Sequence, residues 1–528
     1  MAQASDYTID NSTGANVRAD INTVLQAIAT NNSGSSAAST TFASGFFANT
    51  STSMMQLRNT ANNDFLNLFS LAGAPAFPID GTINGINIGR GGNSVSTNTC
   101  FGNNALEDNN SDGNNNSAFG DSSLKENTTG DKNSAFGSLS LKVSTIGSNL
   151  TGIGYGALTA NLSGDSSTAV GALALKTNSS GDRNTALGSE ALEACDTADD
   201  NTAIGFRSLE LNTASDNTAV GAFALQDNGD GTQNVAVGAL ALKDNTTADQ
   251  NTAVGYNSLA TNSTGTENTG VGRNSLTACS TGSFNTAIGT DALQAGSTAD
   301  NNTACGASAL LTNTTGANNT GVGKDALRVN DTGSSLVGLG YRALDANTSG
   351  SNNVAVGGDA LGSSQTGDDN TAMGSAAGAN VTSGANNLLL GHDSGRSTSP
   401  SGEITTASNQ ICLGDNSITN AFIKVAFTVS SDERDKIEDG IVSHGLDFVN
   451  QLKPKSFWFR KNRDSDEKTG DKRYGFYAQD ILALEGSNSV IIDSKDADNL
   501  KFKEDHLIPV LVNAIKELSV KVTALEAG

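Results

Sequence analysis

Glycine recurs along the middle of this chain at a nearly constant interval, and that interval limits what the chain can fold into. Aligned on the core Asn-Thr-Ala-Val-Gly, the series opens Gly102, Gly120, Gly137, Gly154, Gly171, Gly188, Gly205, Gly221 and runs on to Gly374 and Gly391. Nearly every step is 17 residues; the first is 18, and that from Gly205 to Gly221 is 16. The residue before each glycine is Val, Ile, Leu, Phe, Met or Cys, as at Val170, Leu187 and Ile204. The one before that is small, usually Ala (Ala169, Ala186, Ala203), and a Leu follows four residues after the glycine, as at Leu158, Leu192 and Leu209. Turn sequences such as Asn-Thr-Thr-Gly-Asp fill the rest. One unit cannot bury its few apolar atoms alone, but stacked copies can. The pattern therefore predicts a mostly β chain, a parallel β-roll or β-solenoid with one short strand per unit. Its expected core is a continuous column of Val/Ile and Leu, beside a ladder of Asn184, Asn201, Asn217 and Asn251. At ~4.8 Å per rung, about 18 rungs would make a rod on the order of 85 Å long.

Aromatic residues make up only 5% of the chain, which by itself would fit disorder, but so regular a period excludes a disordered middle. The formal net charge of −24 argues against a nucleic-acid partner, because phosphate binding needs a basic footprint. No apolar run has the length of a membrane span, and Met1 to Asn11 lacks the basic and apolar parts of a signal peptide. The expectation is a chain made in a cytoplasm and not inserted into a membrane. The five cysteines (Cys100, Cys195, Cys279, Cys305, Cys412) include no CxxC pair and read as core filler; no metal site and no cofactor is expected. From Asn98 to about Gly391 the repeats resemble the head repeats of bacterial trimeric autotransporter adhesins. That resemblance implies left-handed β-rolls from three subunits packed about a threefold axis; a monomeric solenoid is the alternative. Late in the series Gly378 and Gly395 replace the Leu, and the step from Gly391 to Gly414 lengthens to 23, as expected of capping repeats.

After about Phe427 Lys and Arg become common and the one Trp, Trp458, appears, so the shaft is assigned to 86–427, with degenerate repeats after 374, and a separate α+β domain to 428–528. Its opening, Ser431-Asp432-Glu433-Arg434-Asp435-Lys436, sets a serine five residues before a lysine. A serine hydroxyl becomes a nucleophile when a base takes its proton, and a desolvated lysine can be that base. Asp435 beside Lys436 would oppose this by raising the lysine's pKa, and Arg434 would favour it. Downstream lie Leu446-Asp447-Phe448-Val449-Asn450-Gln451-Leu452-Lys453-Pro454 and Tyr474-Gly475-Phe476-Tyr477-Ala478-Gln479-Asp480-Ile481. The last segment, 506–527, alternates Ile508, Ile515 and Val522 with Leu511, Leu518 and Leu525, the seam of a coiled coil, which in isolation would favour a dimer. His444 and His506 have no second ligand nearby and read as structural. From Ser431 onward the chain resembles the intramolecular chaperone domain of phage endosialidases and tail fibres, a self-cleaving serine peptidase family. The resemblance implies a domain that trimerises, guides assembly of the shaft and cuts itself off beside Ser431. Ser431 would be the nucleophile and Lys436 its base, in at most a single-turnover reaction.

Residues 1–85 form the remaining module. Asn16 to Thr30 places Val17, Ile21, Val24, Leu25 and Ile28 on one helical face, and Met54–Arg58 with Phe65–Leu71 read as paired strands. Tyr7-Thr8-Ile9-Asp10-Asn11, Asn16 to Asn22 and Asn31 to Ser35 resemble the N-terminal segment of cyanophage tail-fibre proteins, which implies docking to virion tail or baseplate proteins. The combined expectation is a homotrimeric phage tail fibre, located in the virion, that attaches to a host-surface receptor, a glycan or outer-membrane component. A bacterial trimeric adhesin would need a signal peptide and a membrane-anchor barrel. A polysaccharide-depolymerising tailspike would need a carboxylate pair at fixed separation, whereas acids such as Asp199 and Asp200 read as solvated turn residues.

Overall fold

The structure, a computed structural model, describes residues 86–424, 431–460, 463–486, 489–495, 497–498 and 500–528, with strand backbone also at 33–34, 46–49, 54–58, 65–70 and 80–83. The chain divides into two compact units, residues 1–318 and 319–528. Near the start of the first, Met54–Arg58 pairs antiparallel with Phe65–Ser70, as expected, and also with Phe46–Asn49. The helix expected over Asn16 to Thr30 lies outside the described residues.

Both units contain parallel β-solenoid turns. In the first, Asp80–Ile83 and Ile86–Gly89 form an antiparallel hairpin that pairs with Thr99–Gly102, and from there each strand pairs parallel with the next. After that four-residue strand they are three residues long and keep one register: Thr151 faces Thr168, Ala169 faces Ala186, and Leu187 faces Ile204. The second unit repeats this from Thr320–Val322 to Ile411–Leu413.

The core differs from the sequence expectation in one respect. Successive strand residues point to opposite faces, and the central Ala is the one turned inward. Ala186, Ala203 and their equivalents are fully buried, as are Leu192 and Leu209, whereas Leu187, Ile204 and Ile288 are 45%, 37% and 44% exposed. The inner column is thus Ala and Leu, and the Val/Ile column lies outside. Ala fills this inward slot on most rungs, and Leu389 fills it on a late one. Cysteines obey the same parity. Cys100 and Cys412 replace the inward Ala and are buried, while Cys305 stands in the outward slot and is exposed, contrary to its reading as core filler.

Glycine is required where the rungs touch. Gly171 has φ +141, and a Cβ there would lie 2.3 Å from the carbonyl oxygen of Gly188. The following Leu is also unusual, since Leu192 and Leu209 both take φ 52, a left-handed conformation uncommon for a bulky side chain. Stacking holds it there: the Leu192 amide donates to Ser208 O on the next rung at 3.0 Å.

The expected Asn ladder is present. The amides of Asn201 and Asn217 donate to Oδ1 of Asn184 and Asn201, each at 3.0 Å, and Asn184 Nδ2 donates to Ala198 O at 2.7 Å. A second buried ladder runs through the turns, with Asn178 Nδ2 donating to Asn161 Oδ1 at 2.8 Å and Asn245 Nδ2 to Asn228 Oδ1 at 2.6 Å. It breaks where Cys195 and Cys279 take the Asn position, leaving Oδ1 of Asn178 and of Asn262 without a donor. The two thiols turn instead to Ala198 O and Gly282 O.

Within the second unit the segment after the solenoid folds as α1 (Leu446–Gln451), a hairpin of Lys455–Arg460 with Lys468–Gly475, α2 (Ala478–Glu485), a short pair Ile492–Asp493 and Lys501–Phe502, and α3 (Glu504–Ala527). Phe448, Ile481, Ile491, Ile492, Leu507 and Val510 form its core. The expected seam of α3 is left uncovered, with Ile508, Ile515, Leu518 and Leu525 exposed. Among the described residues no helix is long and apolar enough to cross a membrane.

Candidate Ser–Lys site

The six residues from Ser431 to Lys436 are held by local hydrogen bonds. Asp432 is extended (φ −69, ψ 134), and its Oδ1 accepts the Arg434 amide at 2.9 Å, as an N-cap carboxylate does. The amides of Asp435 and Lys436 then donate to Asp432 O and Glu433 O at 3.2 and 3.1 Å, closing one 3-10 turn over Glu433–Asp435. The chain leaves this turn extended at Lys436, so the ends of the segment lie side by side. Lys436 Nζ donates to Ser431 Oγ, and also to Ser431 O at 3.3 Å. The hydroxyl and the amine singled out from spacing are therefore in direct contact.

Arg434 sits elsewhere than anticipated. Its Nη2 and Nε reach Asp432 Oδ2 and Oδ1 at 2.6 and 3.0 Å, and this guanidinium holds the Asp432 carboxyl below the usual range. The Arg434 charge is thus matched by Asp432. Ser431 and Lys436 are both exposed among the described residues.

Other candidate groups have structural partners. His444 stacks on Phe448 with ring centroids 4.3 Å apart. In the solenoid Arg183 Nε binds Asp200 Oδ1 at 2.7 Å, and Asp199 Oδ1 accepts the Asp182 amide at 2.7 Å, so these turn acids tie one rung to the next. Glu190, Glu193 and Glu210 cluster, but Arg207 Nε lies 2.5 Å from Glu190 and Lys176 Nζ 2.9 Å from Glu193. One important group was missed from the sequence. Glu485, nearly buried, accepts the amides of Val490, Ile491 and Ile492 at 2.8, 2.6 and 2.9 Å, and so delivers two isoleucines to the core. A lone glutamate at a helix end carries no sequence signal for that role.

Residues 431–487 match the model of the family described as chaperone of endosialidase. The match opens on Ser431 itself and takes in the 3-10 turn, α1, the hairpin and α2. The chain matches no curated protein.

Proposed function

We propose that the protein is a homotrimeric phage tail fibre in which residues 428–528 act as an assembly chaperone that removes itself by one cut beside Ser431. The observation that carries this reading is the endosialidase-chaperone match placed after a β-solenoid, with the serine and lysine at its first turn in contact. Residues 1–85 would dock to virion tail or baseplate proteins, and 86–427 would present a surface to a host glycan or outer-membrane component. Trimer formation is supported by the apolar surface that one chain leaves open, namely the outward column of Leu187, Ile204 and Ile288 and the seam of α3.

In the proposed cut Lys436 takes the Oγ proton as Ser431 Oγ attacks the carbonyl carbon of Ser430, through a five-membered ring. Attack on its own carbonyl would need a strained four-membered ring, so the bond broken is Ser430–Ser431. Lys436 returns the proton to the leaving amine, an ester joins Ser430 to Ser431 Oγ, and water hydrolyses it to a carboxylate and a free hydroxyl. Neighbouring chains that cover the pair would exclude water from it, so cutting would follow assembly.

Expression of the intact chain tests this. Mass spectrometry should find pieces ending at Ser430 and starting at Ser431, Ser431→Ala should stay whole, and light scattering should report a trimer for both. A wild-type chain that assembles but stays whole removes the peptidase assignment and leaves the fibre. A monomer removes both.

A further inference from the structure

Ser431 and Lys436 meet only because the chain doubles back within one 3-10 turn, and no residue of that turn is buried. Core packing therefore does not dictate its shape, and local bonds must. Asp432 supplies them with one side chain: Oδ1 caps the turn through the Arg434 amide at 2.9 Å, and both oxygens receive the Arg434 guanidinium, at 2.6 to 3.2 Å. Arg434 is thus tied to Asp432 at its amide and at its side chain, which leaves the intervening turn little freedom.

We infer that Asp432 and Arg434 form a positioning clamp that holds Lys436 Nζ on Ser431 Oγ, an assignment that rests on the self-cleavage reading above. Neither residue supplies the nucleophile or the base. An exposed ion pair adds little to stability, so the clamp acts on geometry: a base displaced by about 1 Å costs on the order of a hundredfold in rate. The pair also explains why these two charges lie inside the five-residue spacing, where simple solvation would place no demand on them.

The test is the cleavage rate of the full-length chain, followed by intact mass across a pH series. Asp432→Ala, which removes both bonds, should slow cleavage about ten- to hundredfold. Asp432→Asn keeps the cap oxygen but loses the ion pair and should slow it less, as should Arg434→Ala. In each the cut site and the assembled mass should be unchanged, and the pH midpoint should stay in place while the plateau rate falls. Wild-type rates in both Asp432 variants would overturn the clamp, and so would a shifted midpoint, which would mean that the pair tunes charge and does not set position. If Asp432→Ala fails to assemble, Asp432→Asn decides alone. A wild-type chain that never cuts discards the peptidase reading and the clamp with it, whereas cleavage abolished by Ser431→Ala but indifferent to Asp432 discards the clamp only.

Discussion

The solenoid and the segment after it are held together in opposite ways. In the solenoid the main contacts come in many copies: the same Ala, Leu, Gly and Asn bonds recur on most rungs, and each rung depends on its neighbours. In the segment from Ser431 the contacts are singular. One carboxylate, Glu485, fixes three amides, and one 3-10 turn joins the serine to the lysine. Copies make the first region tolerant of local damage, and their absence makes the second sensitive to single changes.

That contrast can be broken by experiment. Glu485→Ala would leave the amides of Val490, Ile491 and Ile492 without their acceptor at the edge of the core, a loss of about 3 kcal/mol. Trp458 is the only tryptophan and lies in this segment, so its fluorescence in urea should show an early transition while the solenoid's circular dichroism holds. Gly171→Ala forces a Cβ to 2.3 Å from Gly188 O at a left-handed φ, and should cost about 2 kcal/mol. Amide exchange should rise around that rung and stay unchanged several rungs away; loss of protection along the whole stack would refute the nearest-neighbour account.

Alkali sharpens the picture further. Burial pushes the thiols of Cys195 and Cys279 up to about 12. The fold therefore favours the protonated thiol, so this contribution is complete below about pH 9 and is lost as pH rises toward 12. At one unit above pH 9 the loss is on the order of 1.4 kcal/mol per thiol. Melting temperature should fall with pH from about 9 upward, and less steeply in a Cys195→Ser, Cys279→Ser variant. Alkylation at pH 8 should spare these two buried thiols. The smallest effect is a gain: Cys195→Asn would restore the missing donor to Asn178 Oδ1 and should stabilise the adjoining rungs by about 1 kcal/mol.

The period made the stack legible, and with it the first Asn ladder, because a residue repeated every 17 positions must meet its copy. The pairing of Met54–Arg58 with the strand beginning at Phe65 was legible from ordinary strand patterning. Parity was not. In a strand of three, Thr-Ala-Val offers two outward residues or one, and hydrophobicity alone favours Val inside, yet Ala is what the thin core accepts. The second Asn ladder was hidden because its residues sit in stretches that read as turns. At the candidate site the spacing of Ser431 and Lys436 was legible, while the partnership of Arg434 with Asp432 was not, since charge order in a sequence does not say which neighbour a side chain will choose.

The step from Gly391 to Gly414 spans 23 residues, yet Leu388–Leu390 still pairs with Ile411–Leu413 in the same register, and the Gln410 amide still donates to Asn387 Oδ1 at 2.9 Å. The circumference of a turn is thus uncoupled from its rise. A lineage can lengthen one turn sideways without displacing those above and below it, so new surface is written into single lines of the stack while the text on either side stays in place.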